Sequence, residues 1–249
     1  MPMTPARWRQ AVVAAATVLG VLVTARLGLW QLDRAAQKQA LQTALETRTA
    51  MPELPAASLA RSAVDAEPQF QRRIRLVGEW VPSATVFLEN RQMHGQPGFF
   101  VVTPLKLAGQ PDAVLVQRGW APRDLRDRLI VPAVPTPAGP VEVWGHVAAP
   151  PGRLFDFAGA AASGPIRQNL DVPALASELG LPLRPLSLVQ TDGSPAAAGD
   201  GLRRDWPAPA VDIQKHHGYA FQWFALCALM AGLYVWFQLV RPRIPRSDA

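Results

Sequence analysis

Four histidines, a single cysteine and 19 dispersed carboxylates are what this 249-residue chain offers to acid–base, nucleophilic or metal chemistry. Their spacing assembles no familiar catalytic set. There is no glycine-rich phosphate loop, no His-Glu-x-x-His pair and no Gly-x-Ser-x-Gly elbow. His94 and His146 stand alone in or beside stretches that read as strands, where a surface or packed role accounts for them. The thiol of Cys227 lies inside an apolar run, which leaves no internal disulfide, no Cys-x-x-Cys pair and no thiolate metal cluster. The chain is therefore expected not to be an enzyme.

His216 has the best claim to a role. At 100° per residue, His216, Tyr219, Trp223, Cys227, Met230 and Tyr234 fall on one helical stripe, an unusual set for a face that meets only lipid. Such a stripe belongs against protein or a cofactor. The plainer alternative makes Tyr219 and Trp223 interfacial aromatics and His216 the entry to the helix. His217 is adjacent and points about 100° away.

The element that carries this stripe is an apolar run. From Tyr219 to Val240 there is no charged residue, and 22 residues at about 1.5 Å each cover the roughly 30 Å of a bilayer core. We assign a transmembrane helix to 216–240. A second run, 10–32, is uncharged from Gln10 to Ala25, meets Arg26, and resumes from Leu27 to Leu32. A cleaved signal peptide is the rival reading, because Arg7 and Arg9 precede the run and Val23, Thr24 and Ala25 resemble a cleavage site. Arg26 can snorkel and Trp30 suits an interfacial belt, which favours a retained helix.

The tails, 1–9 and 241–249, carry Arg7, Arg9, Arg241, Arg243 and Arg246, so both are expected in the cytoplasm. Residues 33–215 then form a periplasmic domain; Arg34, Lys38 and Lys215 lie on the wrong side for the charge rule, but two spans force both tails onto one side. The net charge of +6 includes these five tail arginines, and the other basic residues are scattered, which argues for an anionic lipid surface and against nucleic acid. Small residues recur every four positions in the first span (Ala16, Gly20, Thr24, Gly28) and at Ala228 and Gly232 in the second, so the two helices are expected to pack closely.

Within the domain, residues 33–50 are rich in helix formers and continue the first span outward until Met51 and Pro52. From about Arg72 to Thr191 short β-rich runs alternate with Pro and Gly clusters. Asp171 to Leu179 reads as one short helix capped by Asp171. Gly193 to Pro209 reads as a flexible link. The expected fold class is an α+β membrane protein, with two transmembrane helices flanking a mostly antiparallel β domain, either a sandwich or a partly open barrel.

Ordered strings add a resemblance. Leu27-Gly28-Leu29-Trp30-Gln31-Leu32-Asp33-Arg34 with Lys38, then Gly78 to Pro82, Asn90-Arg91, Gly95 with Gly98, Thr103-Pro104-Leu105, Arg118-Gly119-Trp120 and His216 to Phe224 resemble, in order, the surfeit locus protein 1 family of cytochrome c oxidase assembly factors. The resemblance covers roughly residues 25–240, and its first string straddles the proposed cleavage point, which favours a retained helix. It implies a non-enzymatic bacterial inner-membrane factor that assists insertion of haem a, bound transiently, into the catalytic subunit of the oxidase. The implied partners are that subunit and the haem a synthesis enzyme. It also implies His216 as an axial ligand to haem iron, with Tyr219 and Trp223 covering the porphyrin. Close packing of the two spans would set Arg26, Arg34 or Lys215 near His216, where a propionate could pair with one of them, the plainer alternative being that these side chains only snorkel. Asn90, Arg91, Arg118 and Trp120 are expected to hold the sheet together, with Arg118 against Trp120 and paired with a carboxylate such as Glu89. A membrane scaffold that docks oxidase subunits without haem, and an envelope enzyme acting on lipid or cell-wall precursors, are the alternatives.

Overall fold

The computed structural model describes residues 5–127, 129–155, 164–206 and 212–241. The chain divides into two compact units, one made of residues 1–44 with 209–249 and the other of residues 45–208.

The first unit is a helix pair. Helix α1, Pro5–Ala50, runs through Arg26 without a break, because Ala, Leu, Gln and Arg dominate it and no proline interrupts it before Pro52. Its partner, called α4 because it comes last, covers Ile213–Tyr234 and ends in a π turn, Val235–Val240. Both helices are long and apolar enough to cross a membrane.

The seam between them follows a heptad. On α1 the inward row is Val21, Thr24, Gly28, Gln31 and Ala35; on α4 it is His216, Ala220, Trp223, Cys227, Met230 and Tyr234. Alternate steps of three and four keep a row facing its partner along the helix. The helices run antiparallel, since Gly20 meets Met230 near one end while Gln31 meets His216 near the other. The expected small-residue packing is found on α1 alone. A Cβ on Gly28 would stand 2.8 Å from the ring of Phe224, and one on Gly20 would stand 3.1 Å from the sulfur of Met230. Ala16 is exposed, as is Ala228, and Gly232 has nothing within 4 Å of where its Cβ would be. Small residues on one helix receive large ones from the other.

The second unit is a β barrel with two short helices, α2 (Ala63–Ala66) and α3 (Val172–Leu179). Its strands are β1 Arg73–Trp80, β2 Val86–Met93, β3 Gln96–Leu107, β4 Ala113–Pro122, β5 Pro140–Ala148, β6 Ile166–Arg167 and β7 Leu183–Gln190. The order β1-β5-β7-β4-β3 closes on itself because β3 also pairs with β1. The barrel is thus closed by five strands, where a sandwich or a partly open barrel was expected.

Closure depends on the length of β3. Its first part pairs with β2 from Gln96 to Val102, and its end, Leu105–Leu107, pairs with Trp80 back to Gly78 of β1. One strand therefore serves two neighbours on the same side, which no local pattern announces. Gly78 makes the closing approach possible: a Cβ there would lie 2.2 Å from the carbonyl oxygen of Lys106. Most pairings are antiparallel, but β4–β7 and β2–β6 are parallel.

Strand β1 alternates exposed and buried residues along its whole length, sending Ile74 and Leu76 inward to meet Leu105, Val114, Val116, Val143, Val147, Leu186 and Leu188. A second cluster forms where Leu175 of α3 covers Leu88, Val102 and Leu115. Helix α3 begins as its sequence indicated, with the Asp171 carboxylate accepting from the Ala174 N–H at 2.9 Å, and stops at Gly180 in the left-handed conformation.

The stretch after β7 is not a loose link over the residues that can be described. Trp120 and Arg203 exchange backbone hydrogen bonds at 2.7 and 2.9 Å, and the indole of Trp206 donates to the Gln190 carbonyl at 2.8 Å. Asp200 and Arg204 are buried. Residues 207–209 of the expected link, and Arg243 and Arg246 of the basic tail, lie outside the described residues.

Candidate functional site

The strings of the β domain that carry the resemblance turn out to be architecture. Arg118 on β4 is fully buried, stacks over the ring of Trp80 at 4.8 Å and donates to Thr136 Oγ1 at 2.7 Å and to the Pro135 carbonyl at 2.8 Å. Its carboxylate is Asp200, at 3.6 Å, and not Glu89; its aromatic partner is Trp80, and not Trp120. The same carboxylate accepts a hydrogen bond from Arg204. Burial pushes the Arg118 guanidinium below its ordinary pKa, Asp200 opposes that shift, and the second guanidinium reinforces it. One buried anion between two buried cations ties the segment after β7 to the barrel.

Trp120 donates through its indole to the Arg91 carbonyl at 2.9 Å, and Arg91 itself donates to the carbonyls of Gly152 and Gln168. Asn90 adopts a positive φ of 60° beside a register shift in the β2–β3 pairing, a conformation that asparagine tolerates better than most residues. These groups are consumed in holding strands and loops together, as expected.

Neither isolated histidine of the domain has a metal-site neighbourhood. The ring of His94 lies 3.2 Å from Asp205 at the surface. His146 on β5 stands opposite Arg73 of β1, and burial lowers its pKa from the ordinary 6.5. Among the described residues no group of three His, Cys, Asp or Glu side chains could hold a metal ion.

In the helix pair, His216 sits in the first turn of α4 on the row that faces α1, half-buried. Its Nδ1 lies 2.8 Å from Oε1 of Gln31. With the carboxamide oxygen turned toward the ring, the neutral tautomer that fits this contact carries its proton on Nδ1 and its lone pair on Nε2. No group among the described residues hydrogen-bonds that Nε2. Gln31 is nearly buried, at 9% exposure, and its carboxamide would cost about 1–3 kcal/mol if left unpaired there.

Trp223 and Cys227 share the row with His216, the thiol lying 3.7 Å from the Val21 carbonyl. Tyr219 does not, being 49% exposed; Ala220 occupies the inward place instead. Five of the six residues on the expected stripe thus face protein, namely α1. Of the cations expected near His216, Lys215 pairs with Asp212 at 2.6 Å and Arg34 donates to Gln37 at 3.1 Å. His217 is exposed.

An axial bond to a haem iron asks for one neutral imidazole nitrogen with its lone pair available and its opposite nitrogen anchored. His216 meets that requirement. In the sequence Gln31 is one letter of a string, and its signal is a polar carboxamide on a row otherwise made of small and apolar residues.

A sequence model of the SURF1 family matches residues 18–228. The chain belongs to the SURF1 family. The matched stretch takes in the Gln31 and His216 strings and the whole β domain. A SURF1-like protein of Rickettsia bellii (strain RML369-C) is 26% identical over 228 residues, covering 88% of this chain and 89% of that one. A SURF1-like protein of Rickettsia felis (strain ATCC VR-1525 / URRWXCal2) is 28% identical over 110 residues, 42% and 46% of the two chains. The cytochrome oxidase assembly protein SHY1 of Saccharomyces cerevisiae (strain ATCC 204508 / S288c) is 29% identical over 101 residues, 40% of this chain and 25% of that one.

Proposed function

We propose that this SURF1 protein is an integral membrane assembly factor for cytochrome c oxidase and that it presents haem a to the catalytic subunit during insertion. The observation that carries the haem step is the His216 imidazole, anchored by Gln31 at Nδ1 and left with a lone pair on Nε2. The oxidase role rests on family membership and on the similarity to SHY1, whose name states it. The length and hydropathy of both helices and their flanking arginines support insertion in a bacterial inner membrane, with cytoplasmic termini and a periplasmic barrel.

Haem is cargo on this reading, and its iron would supply the coordination bond that His216 holds. Trp223, two turns along on the same row, and Tyr219, one turn along and outward, are the aromatic residues able to border a porphyrin. The catalytic oxidase subunit and the haem a synthesis enzyme are the partners between which such cargo would move. An affinity low enough for release suits a single protein ligand.

A second reading makes the protein a scaffold that docks oxidase subunits without touching haem. It is favoured by the barrel, whose Arg91, Arg118 and Trp120 are buried and spent on holding strands and loops together. Deleting the gene separates an assembly role from none. Oxidase activity and haem a occupancy should fall together while haem a synthesis continues; normal values for both in a strain without a paralogue would remove the assembly role. Absorption spectra of the protein purified from cells that make haem a then separate carrier from scaffold.

A further inference from the structure

The pairing of His216 with Gln31 says more than that the imidazole is available. We propose that Gln31 is the positioning residue of the site: it sets the tautomer of His216, keeping the proton on Nδ1 and so assigning Nε2 as the nitrogen that meets iron. The ligation half of this inference rests on the haem reading above, whereas the tautomer half does not.

Three features of the structure lead there. Gln31 stands on the inward row of α1, between Gly28 and Ala35, and is 9% exposed. Its oxygen meets Nδ1 at 2.8 Å, a full-strength distance. An unanchored neutral imidazole is free to carry its proton on either nitrogen, and no other group among the described residues bonds either one, so the orientation of the Gln31 carboxamide, oxygen toward the ring, is what favours Nδ1–H. A hydrogen bond from Nδ1–H to an acceptor also raises the basicity of Nε2 and fixes the ring plane, the usual task of a group behind a metal-bound histidine.

The arrangement has an energetic logic within a lipid-embedded pair. Polar contacts between helices in a bilayer contribute modestly to association, so a buried glutamine is a poor choice if its only task is to join two helices that already interlock through Gly28 and Phe224. Directing the proton on a ligand is a task that small or apolar residues on this row cannot perform.

Nitrogen NMR of the full-length protein in nanodiscs, with 15N-labelled histidine and the His216 signals assigned by their loss in His216→Ala, tests the tautomer without haem. Wild type should show a protonated Nδ1 and a bare Nε2. Gln31→Leu should shift the proton toward Nε2, and Gln31→Glu, which retains an acceptor, should keep it on Nδ1. A wild-type ring protonated on Nε2, or an unchanged pattern in Gln31→Leu, overturns the proposal. On haem-loaded protein Gln31→Leu should retain haem about 10–100-fold less tightly. Gln31→Glu should retain it with a lower midpoint potential, because a carboxylate makes the imidazole more electron-donating. Equal retention and potential in all three proteins overturns the positioning role. A wild type that takes up no haem while showing the expected tautomers instead removes the haem reading and leaves Gln31 as the group that orients His216.

Discussion

At the scale of single residues, adjacent histidines have been given different surroundings. His216 is half-buried against α1 with one nitrogen engaged, and His217 is exposed. Replacing His216 by Ala should therefore abolish or strongly shift the Soret band of haem-loaded protein while the chain still inserts, and His217→Ala should change it little. Indistinguishable spectra for wild type and both variants would move the haem elsewhere. In the barrel, His146 makes a prediction about acid. Burial lowers its pKa below 6.5, so the unfolded chain takes up a proton before the folded one. The stability this residue contributes is complete above pH 6.5 and is lost as pH falls through that value toward the depressed folded one. Thermal midpoints measured between pH 7.5 and pH 5.5 should fall less for His146→Gln than for wild type. Parallel slopes for the two proteins would remove His146 as a cause.

At the scale of elements, the seam of the helix pair is asymmetric, with space on α1 and bulk on α4. Gly28 is its tightest point, since any side chain there meets the Phe224 ring. Gly28→Leu should force the helices apart, and Phe224→Ala in the same chain should restore part of the contact. Oxidative cross-linking between Cys227 and a cysteine introduced by Val21→Cys reports the spacing, because the Cys227 sulfur already lies 3.7 Å from the Val21 carbonyl. Undiminished cross-linking in Gly28→Leu would mean that the seam does not depend on this glycine. The seam also shows why a stripe read from one helix was nearly right and wrong in one member. Steps of 100° place Tyr219 and Ala220 on either side of the stripe, and the partner helix decides which faces inward.

At the scale of the whole molecule, two units follow different rules. The barrel draws strength from burial, register and one buried carboxylate between two guanidiniums, while the helices carry apolar side chains outward and are long and apolar enough to cross a bilayer. Reporter fusions at both ends should be active only as cytoplasmic reporters, and fusions within residues 45–206 only as periplasmic ones. The reverse pattern, or a mature chain beginning at Arg26, would overturn the orientation and return the first helix to the status of a signal peptide.

What the sequence determined by itself was everything that depends on near neighbours. The apolar runs, the helix-forming stretch to Ala50, the Asp171 cap and the β-rich character of the stretch from about Arg72 to Thr191 are encoded in composition and in periods of 2 and 3.6. The ordered strings sufficed for the family. The two-residue β6 was too short to show a period. What only the tertiary structure decided was which distant residues meet. Barrel closure needs the end of β3 to reach β1, Arg118 finds Asp200 and not Glu89, and the supposed link after β7 is a tied strap because its carboxylate neutralises buried cations. Gln31 and His216 are separated by 185 positions in sequence and meet at 2.8 Å. Such pairs leave no local signal, because each side chain is chemically ordinary where it stands and acquires its role only when packing removes water and brings its partner within hydrogen-bonding distance.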